Sequence, residues 1–263
     1  HELRQKVKDE EPLVRFETEE GKQMQVDWVE FPKDGLSAFV ATMGYSRASY
    51  VEYVDNEKVE TLIKCHMNAF SYFGGVPKEG LYDNMKTVII KRNAYGYGKH
   101  KFNEQFRDFA EKHCGMQLKV CKPYRAQTKG KVERFNHYFR YSFHNIFKVK
   151  LSMMGYKMSL ENANAAVMDW LDFTANSRIH QTTLYKPFDL LAKEQLQLLP
   201  LPKPYHGVHP IKATAQSVSK NSQTSNRITI HIPNRDLQSY DEFIPVMAYM
   251  LIPVYAVGGA LWS

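Results

Sequence analysis

The sequence predicts an α/β fold in which a mixed sheet is flanked by helices, and three observations carry that expectation. Close to the N-terminus, apolar and polar residues alternate with a period of two; from Val59 the apolar residues recur at three and four; and short apolar runs return between later helical stretches. With 263 residues, 43% of them apolar and 13% aromatic, the chain has enough material for a substantial core.

Residues 1–20 are rich in charge and lack an apolar stripe, so they read as a linker. In residues 23–30, Met24, Val26 and Trp28 alternate with Gln23, Gln25 and Asp27, as in a strand with one packed face. Asp27 therefore projects from the face opposite Trp28. Residues 36–44 (LSAFVATMG) are apolar on both faces, as in a central strand, and residues 47–54 return with β-branched and aromatic side chains. Asp34-Gly35 and Gly44 supply the turns, so three consecutive antiparallel strands are expected.

The helical period of Val59, Leu62, Ile63, Met67, Phe70 and Phe73 ends at Gly74-Gly75 and Pro77. A short run, Gly80-Leu81-Tyr82, then leads into Asp83-Asn84. A strand, helix and strand of this length return the chain parallel to the first sheet, with Asp83 at a strand's carboxyl end, where open α/β sheets bind ligands. Residues 86–100 begin as a strand (TVII) and become a Tyr/Gly/Lys-rich loop. Phe102, Phe106, Phe109 and Ala110 mark an amphipathic helix ending near Gly115, and residues 117–121 form a further strand.

Residues 123–147 join a basic loop to a helix whose apolar stripe is Val132, Phe135, Phe139, Phe143, Ile146 and Phe147. Glu133 sits beside that stripe among Arg125, Lys129, Lys131 and Arg134, with Asn136, His137 and Arg140 following along its flank. Another helix follows Ser159 and runs to Asn176, and a proline-rich stretch sets a boundary near residue 200. Beyond it, residues 227–232 alternate as a strand. The apolar run 246–261 is shorter than the ~18 residues of a spanning helix and is broken by Pro253 and Gly258-Gly259, so no membrane anchor is expected. No internal repeat is visible.

The 35 Lys+Arg against 28 Asp+Glu give a net charge of +7, which favours an anionic partner. Cys65, Cys114 and Cys121 are scattered, with no CxxC pair and no His at ligand spacing, which points to free thiols in a reducing compartment. No charged-then-apolar leader opens the sequence, so no secretory signal is expected. Three acids stand out by position: Asp27 mid-strand, Asp83 at a strand end and Glu133 early in a helix. Singly, they suit an edge-strand charge, a turn residue and an ion-paired helix start. Jointly, they suit a site for divalent cations, because a carboxylate in a packed sheet is costly unless it is paired or metal-bound. Two such cations can activate a water or hydroxyl and steady the leaving oxygen in phosphoryl transfer.

The stretches RFETEEGKQMQVDWVEF, FVATMGYSRASYVEYV, AFSYFGGVPKEGLYDNMKTVI and KPYRAQTKGKVERFNHYFR, together with SRIHQTTLYKPFDLLAKEQ, resemble in sequence and order the catalytic domain of IstA-type insertion-sequence transposases, within the retroviral-integrase-like enzymes. The resemblance covers roughly residues 14 to 200 and implies an RNase H-like mixed five-stranded sheet over 21–198, with a poorly defined C-terminal extension over 199–263. It implies an Asp, Asp, Glu triad on Asp27, Asp83 and Glu133, dependent on Mg2+ or Mn2+. The implied reaction is hydrolysis at the element's DNA ends and attack of the freed 3′ hydroxyl on target DNA. Arg125, Lys129, Lys131 and Arg134 would grip phosphates, with Tyr124 and Gln127 at a base or sugar. Asn84 would orient Asp83 or close its turn. His137 is either a supporting group or an ordinary surface histidine, and Arg178 and His180 match the pattern without an assignable role. The resemblance also implies a homo-oligomer on DNA, a AAA+ ATPase helper and action in the bacterial cytoplasm, at the nucleoid when bound to DNA.

Two features depart from the family pattern: no helix-turn-helix precedes Lys22, and the small β-barrel after the catalytic domain is only hinted at by residues 227–232. A catalytically silent DNA-binding remnant and a nuclease acting on RNA–DNA hybrids are the competing readings.

Overall fold

A computed structural model describes residues 17–83, 85–121 and 129–207. The strand at 227–232, the run at 246–261 and the loop residues Tyr124, Arg125 and Gln127 lie outside the described residues, as does Asn84.

Strands β1 (Gln23–Phe31), β2 (Leu36–Met43) and β3 (Ser49–Val54) form an antiparallel meander. Helix α1 (Val59–Phe73) then returns the chain so that β4 (Glu79–Tyr82) pairs parallel to β1. A small antiparallel ribbon, β5 (Ile89–Lys91) with β6 (Lys101–Phe102), stands apart from the main sheet. Helix α2 (Glu104–Arg107) widens into a π-helical turn over Asp108–His113, and β7 (Gln117–Val120) adds parallel to β4. The five-stranded sheet has the order β3-β2-β1-β4-β7.

The single packed face expected for β1 is corrected to two. Met24 and Val26 are buried in a core built with α1, α2 and Phe109, while Val29 and Phe31 are buried on the other face under later helices. Because helices cover both sides, the polar members of β1, Gln25 and Asp27, lie under a helix and must find partners there.

That second layer is a long helical stretch. Helix α3 (Gly130–Phe139) passes through a π-helical turn at Arg140–His144 into α4 (Asn145–Met153). Phe135, Phe139, Phe143, Phe147 and Leu151 recur every fourth residue, and all are buried. In a regular helix, four-residue steps drift about 40° around the axis each time. The wider turn takes up this drift, and Phe139, Phe143 and Phe147 stack with successive ring centroids 6.0 and 5.4 Å apart. Ile146, placed in the stripe by sequence, is exposed, as the reset phase requires.

Helix α5 (Leu160–Trp170) starts with a capping box in which Ser159 and Asn162 satisfy each other's backbone amides. It continues through another wide turn to Ala175. Helix α6 (Pro187–Glu194) ends on Glu194, which is fully buried and accepts hydrogen bonds from the amides of Gly21 (3.2 Å) and Ser46 (3.0 Å). The last helix thus fastens the start of β1 and the β2–β3 turn. Packing continues to Tyr205, whose hydroxyl donates to Asp108. Among the described residues, no helix is long and apolar enough to cross a membrane.

Candidate active site

The parallel register aligns Val26 with Tyr82 and Tyr82 with Val120. The next residues, Asp27, Asp83 and Cys121, therefore stand side by side, and the Cys121 amide still donates to the Tyr82 carbonyl at 2.9 Å. Adjacent strands are ~4.8 Å apart, so this row brings Asp27 and Asp83 to the same end of the parallel half of the sheet. Upstream, Tyr82 is fully buried, and its hydroxyl meets Nε2 of His66, whose Nδ1 lies 2.7 Å from the Leu62 carbonyl. This anchor fixes the backbone immediately before Asp83.

Helix α3 lies over the row. Asp27 Oδ1 accepts from Lys129 Nζ at 2.7 Å and Oδ2 accepts from Asn136 Nδ2 at 2.9 Å. The side chain of Lys129 is 6% exposed and that of Asp27 24%. Glu133 lies four residues after Lys129 and three before Asn136, on the flank that faces Asp27, and is itself exposed. Asp83, 58% exposed, pairs with Arg92 at 3.4 Å. Burial pushes the Cys121 thiol up to about 11, against the pull of Lys129 and Arg92; Asp83 and Glu133 push the same way as burial.

Among the described residues, no three acidic, histidine or cysteine side chains form a compact group that would hold a metal ion. The Lys129 ammonium balances Asp27 instead. The donor set suits a hard divalent cation, since every candidate ligand atom is oxygen. Asn136 Oδ1, buried without a hydrogen-bond partner next to Asp27, supplies one more unused oxygen. The residues fit the group provided that the Lys129 ammonium moves off Asp27.

The remaining cations divide between two flanks. Lys131 donates to the Gly44 carbonyl at 2.8 Å and to Thr18. Arg134 is exposed and reaches the Thr182 hydroxyl at 3.4 Å. At two and five residues from Lys129, both point away from Asp27. His137 does not share the flank of Asn136 as its spacing suggested; it packs on Tyr141, ring centroids 4.6 Å apart, and faces the side of Lys131. Arg140 lies over the Phe31 ring at 4.8 Å. Arg92 carried no sequence signal, since it reaches Asp83 only through the fold of the β5–β6 ribbon.

The Integrase core domain family matches residues 17–126, a stretch that holds Asp27 and Asp83. A protein of Geobacillus stearothermophilus assigned as the transposase of insertion sequence element IS5376 is 43% identical over 197 residues, 72% of this chain and 46% of the relative. Residues 17–126 thus match an integrase core, and over 72% of its length the chain is similar to an insertion-sequence transposase. The transposase for insertion sequence element IS21 of Pseudomonas aeruginosa is 32% identical over 207 residues, 76% of this chain and 50% of that protein. The chain therefore spans about half the length of the curated relatives it matches. Among solved structures, the simian T-cell lymphotropic virus intasome has a chain similar in fold, with a TM-score of 0.51 and 16% identity over 71% of this chain and 59% of that one. This integrase core has the mixed five-stranded sheet with helices on both faces that the RNase H-like expectation required.

Proposed function

We propose that this integrase core is the catalytic domain of an insertion-sequence transposase that cleaves 3′ ends of the element and joins them to target DNA, with Asp27, Asp83 and Glu133 as its metal-binding catalytic triad. The alignment of Asp27 with Asp83 across parallel strands, under the helix flank that carries Glu133, is the observation that carries this reading.

When bound, Mg2+ or Mn2+ would lower the pKa of a water or hydroxyl and neutralise charge on the leaving oxygen. The chain's own residues prepare that chemistry. Asn136 holds one oxygen of Asp27 and so sets the direction of the other. Lys129 keeps Asp27 charge-balanced in a half-buried position. The His66–Tyr82 anchor and the Cys121–Tyr82 backbone bond hold Asp83 at its strand end. Arg92 restrains the Asp83 carboxylate from the outer side. Tyr124, Arg125 and Gln127 belong to the same proposal as contacts to the DNA end, with Lys129, once released from Asp27, as a phosphate ligand beside them and Lys131 and Arg134 as phosphate ligands on the opposite flank of α3. So do assembly as a homo-oligomer on DNA, a AAA+ ATPase helper and action in the bacterial cytoplasm.

The test is strand transfer of a precut element end by purified protein with Mg2+ or Mn2+. Asp83→Asn is expected to reduce it by at least a hundredfold, and undiminished activity in that variant refutes the assignment. Salt-dependent DNA binding with no metal-dependent joining would identify a silent remnant instead. Cleavage of an RNA–DNA hybrid with no DNA joining would identify a hybrid nuclease.

A further inference from the structure

The flank of α3 turned away from Asp27 lines a cleft of about 710 Å³, closed by the β2–β3 turn and by the segment that follows α5. Arg47, Lys131, Arg134, Arg178 and His180 line it, with Tyr138 between them. Two acids temper this charge. Glu17 pairs with Arg47 at 2.8 Å, and buried Glu194 acts on Arg47 and Lys131 from beneath. Arg134 and Arg178 have no carboxylate within ion-pairing distance among the described residues. Arg178 instead lies 3.3 Å from the Tyr138 ring centroid, which fixes its guanidinium without neutralising it. The groups also repel one another. Burial, reinforced by Arg47, lowers Lys131 to about 8; burial, reinforced by Arg178, Arg47 and Arg134, lowers His180 to about 4.

We infer that this cleft is a second DNA site, which holds the phosphodiester backbone of a duplex segment other than the one at the carboxylates. Cations kept close together in a concavity stabilise a polyanion that replaces their missing counter-charges. The volume favours a run of backbone over a lone ion, because it lies in the range of sites that enclose whole organic ligands. The donors without a carboxylate partner, Arg134 and Arg178, come from two separate parts of the chain, so they can follow a strand of linked phosphates and not one point. Arg134 and Arg178 are planar donors suited to phosphate oxygens, and Tyr138 offers a face to a sugar or an unpaired base. Helix α3 would then bind DNA on one flank and carry out chemistry on the other, and Arg178 and His180, which sequence left without a role, belong to the binding flank. The inference rests on the DNA reading above.

The experiment measures binding of a fluorescein-labelled random-sequence duplex by anisotropy across a KCl series, alongside strand transfer of a precut end. Each lost phosphate contact lowers the slope of log K against log[salt] by ~0.9, so Arg134→Gln/Arg178→Gln should lower it by about 2. Arg134→Gln alone, at an exposed position that does not support the core, should lower it by about 1 and covers the case in which the double variant fails to fold. Asp27→Asn should keep the wild-type slope. An unchanged slope in folded variants, or a wild-type chain that binds no duplex, overturns the cleft assignment. A wild-type chain that joins DNA while the slopes are unchanged refutes the cleft alone. A chain whose slopes respond but which joins nothing refutes the transposase reading alone.

Discussion

Replacing Lys129 with methionine removes an ammonium from the Asp27 carboxylate while keeping an unbranched stem in a space where the lysine is only 6% exposed. A hydrogen bond to a charged group contributes about 1.5–3 kcal/mol. Any divalent cation that binds Asp27 must first displace that interaction. At 1.4 kcal/mol per tenfold, its removal should tighten Mg2+ binding by about 10- to 150-fold. The same change leaves Asp27 with Asn136 as its only side-chain donor among the described residues. A buried carboxylate stripped of its partner costs 3–5 kcal/mol, and partial exposure of Asp27 reduces that to about 1–3 kcal/mol. In EDTA the variant should therefore melt below the wild type by a few degrees, at about 2–4 °C per kcal/mol for a domain of this size. As MgCl2 is added, its midpoint should rise at lower concentrations than that of the wild type. A Mg2+ dependence within twofold of the wild type would show that Lys129 does not compete for the site, and the reasoning would fail.

Other expectations concern the supports of the site. His66 is fully buried and its pKa is lowered from 6.5 to about 4 by that burial. Between those values the unfolded chain binds a proton that the folded chain does not, so the contribution of the neutral ring is complete above pH 6.5 and is lost as pH falls toward 4. Urea unfolding should show this as a loss of up to ~1.4 kcal/mol per pH unit, flattened in His66→Gln; equal slopes in the two proteins would contradict it. Glu194→Ala leaves the amides of Gly21 and Ser46 without their carboxylate and should cost about 3–5 kcal/mol in chemical denaturation. Glu194→Gln keeps one acceptor oxygen and should cost clearly less. Equal losses would show that the carboxylate's hydrogen bonds are not what closes α6 onto β1.

The parts of the site that could be read from sequence are those set by short-range periodicity. Alternation in β1 put Asp27 opposite Trp28, and the strand–helix–strand order put Asp83 at a parallel strand's end; both follow from the chain's own repeat. The apolar stripe of α3 was equally visible, and with it the flank that carries Glu133 and Asn136. What escaped depends on long-range placement. Lys129 meets Asp27 across 102 residues of chain, and no local pattern announces such a pair. Lys129, Lys131 and Arg134 look like one basic cluster when written in a line, but helical rotation sends the first to the carboxylates and the other two to the opposite cleft. The second packed face of β1 escaped for a related reason, since Gln25 and Asp27 read as a polar, solvated side. The helix above meets their polarity with the Val132 amide on Gln25 and with Lys129 and Asn136 on Asp27.

The wide turn at Arg140–His144 also divides the long helix into two rods whose rotational phases are set separately. Upstream, phase decides which side chains look at Asp27 and which look into the basic cleft; downstream, it decides only whether Phe147 and Leu151 stay in the core. Substitutions along α4 can loosen packing without turning the flank that faces Asp27. Loss of one residue inside the turn is a different kind of event. It would restore a regular helix in which Phe147 and Leu151 lie seven and eleven residues after Phe139, each within about 20° of the same face, so both stay in the core. The helix therefore tolerates the loss of a residue at this turn better than in either rod, where the same loss would rotate the remainder by about 100°.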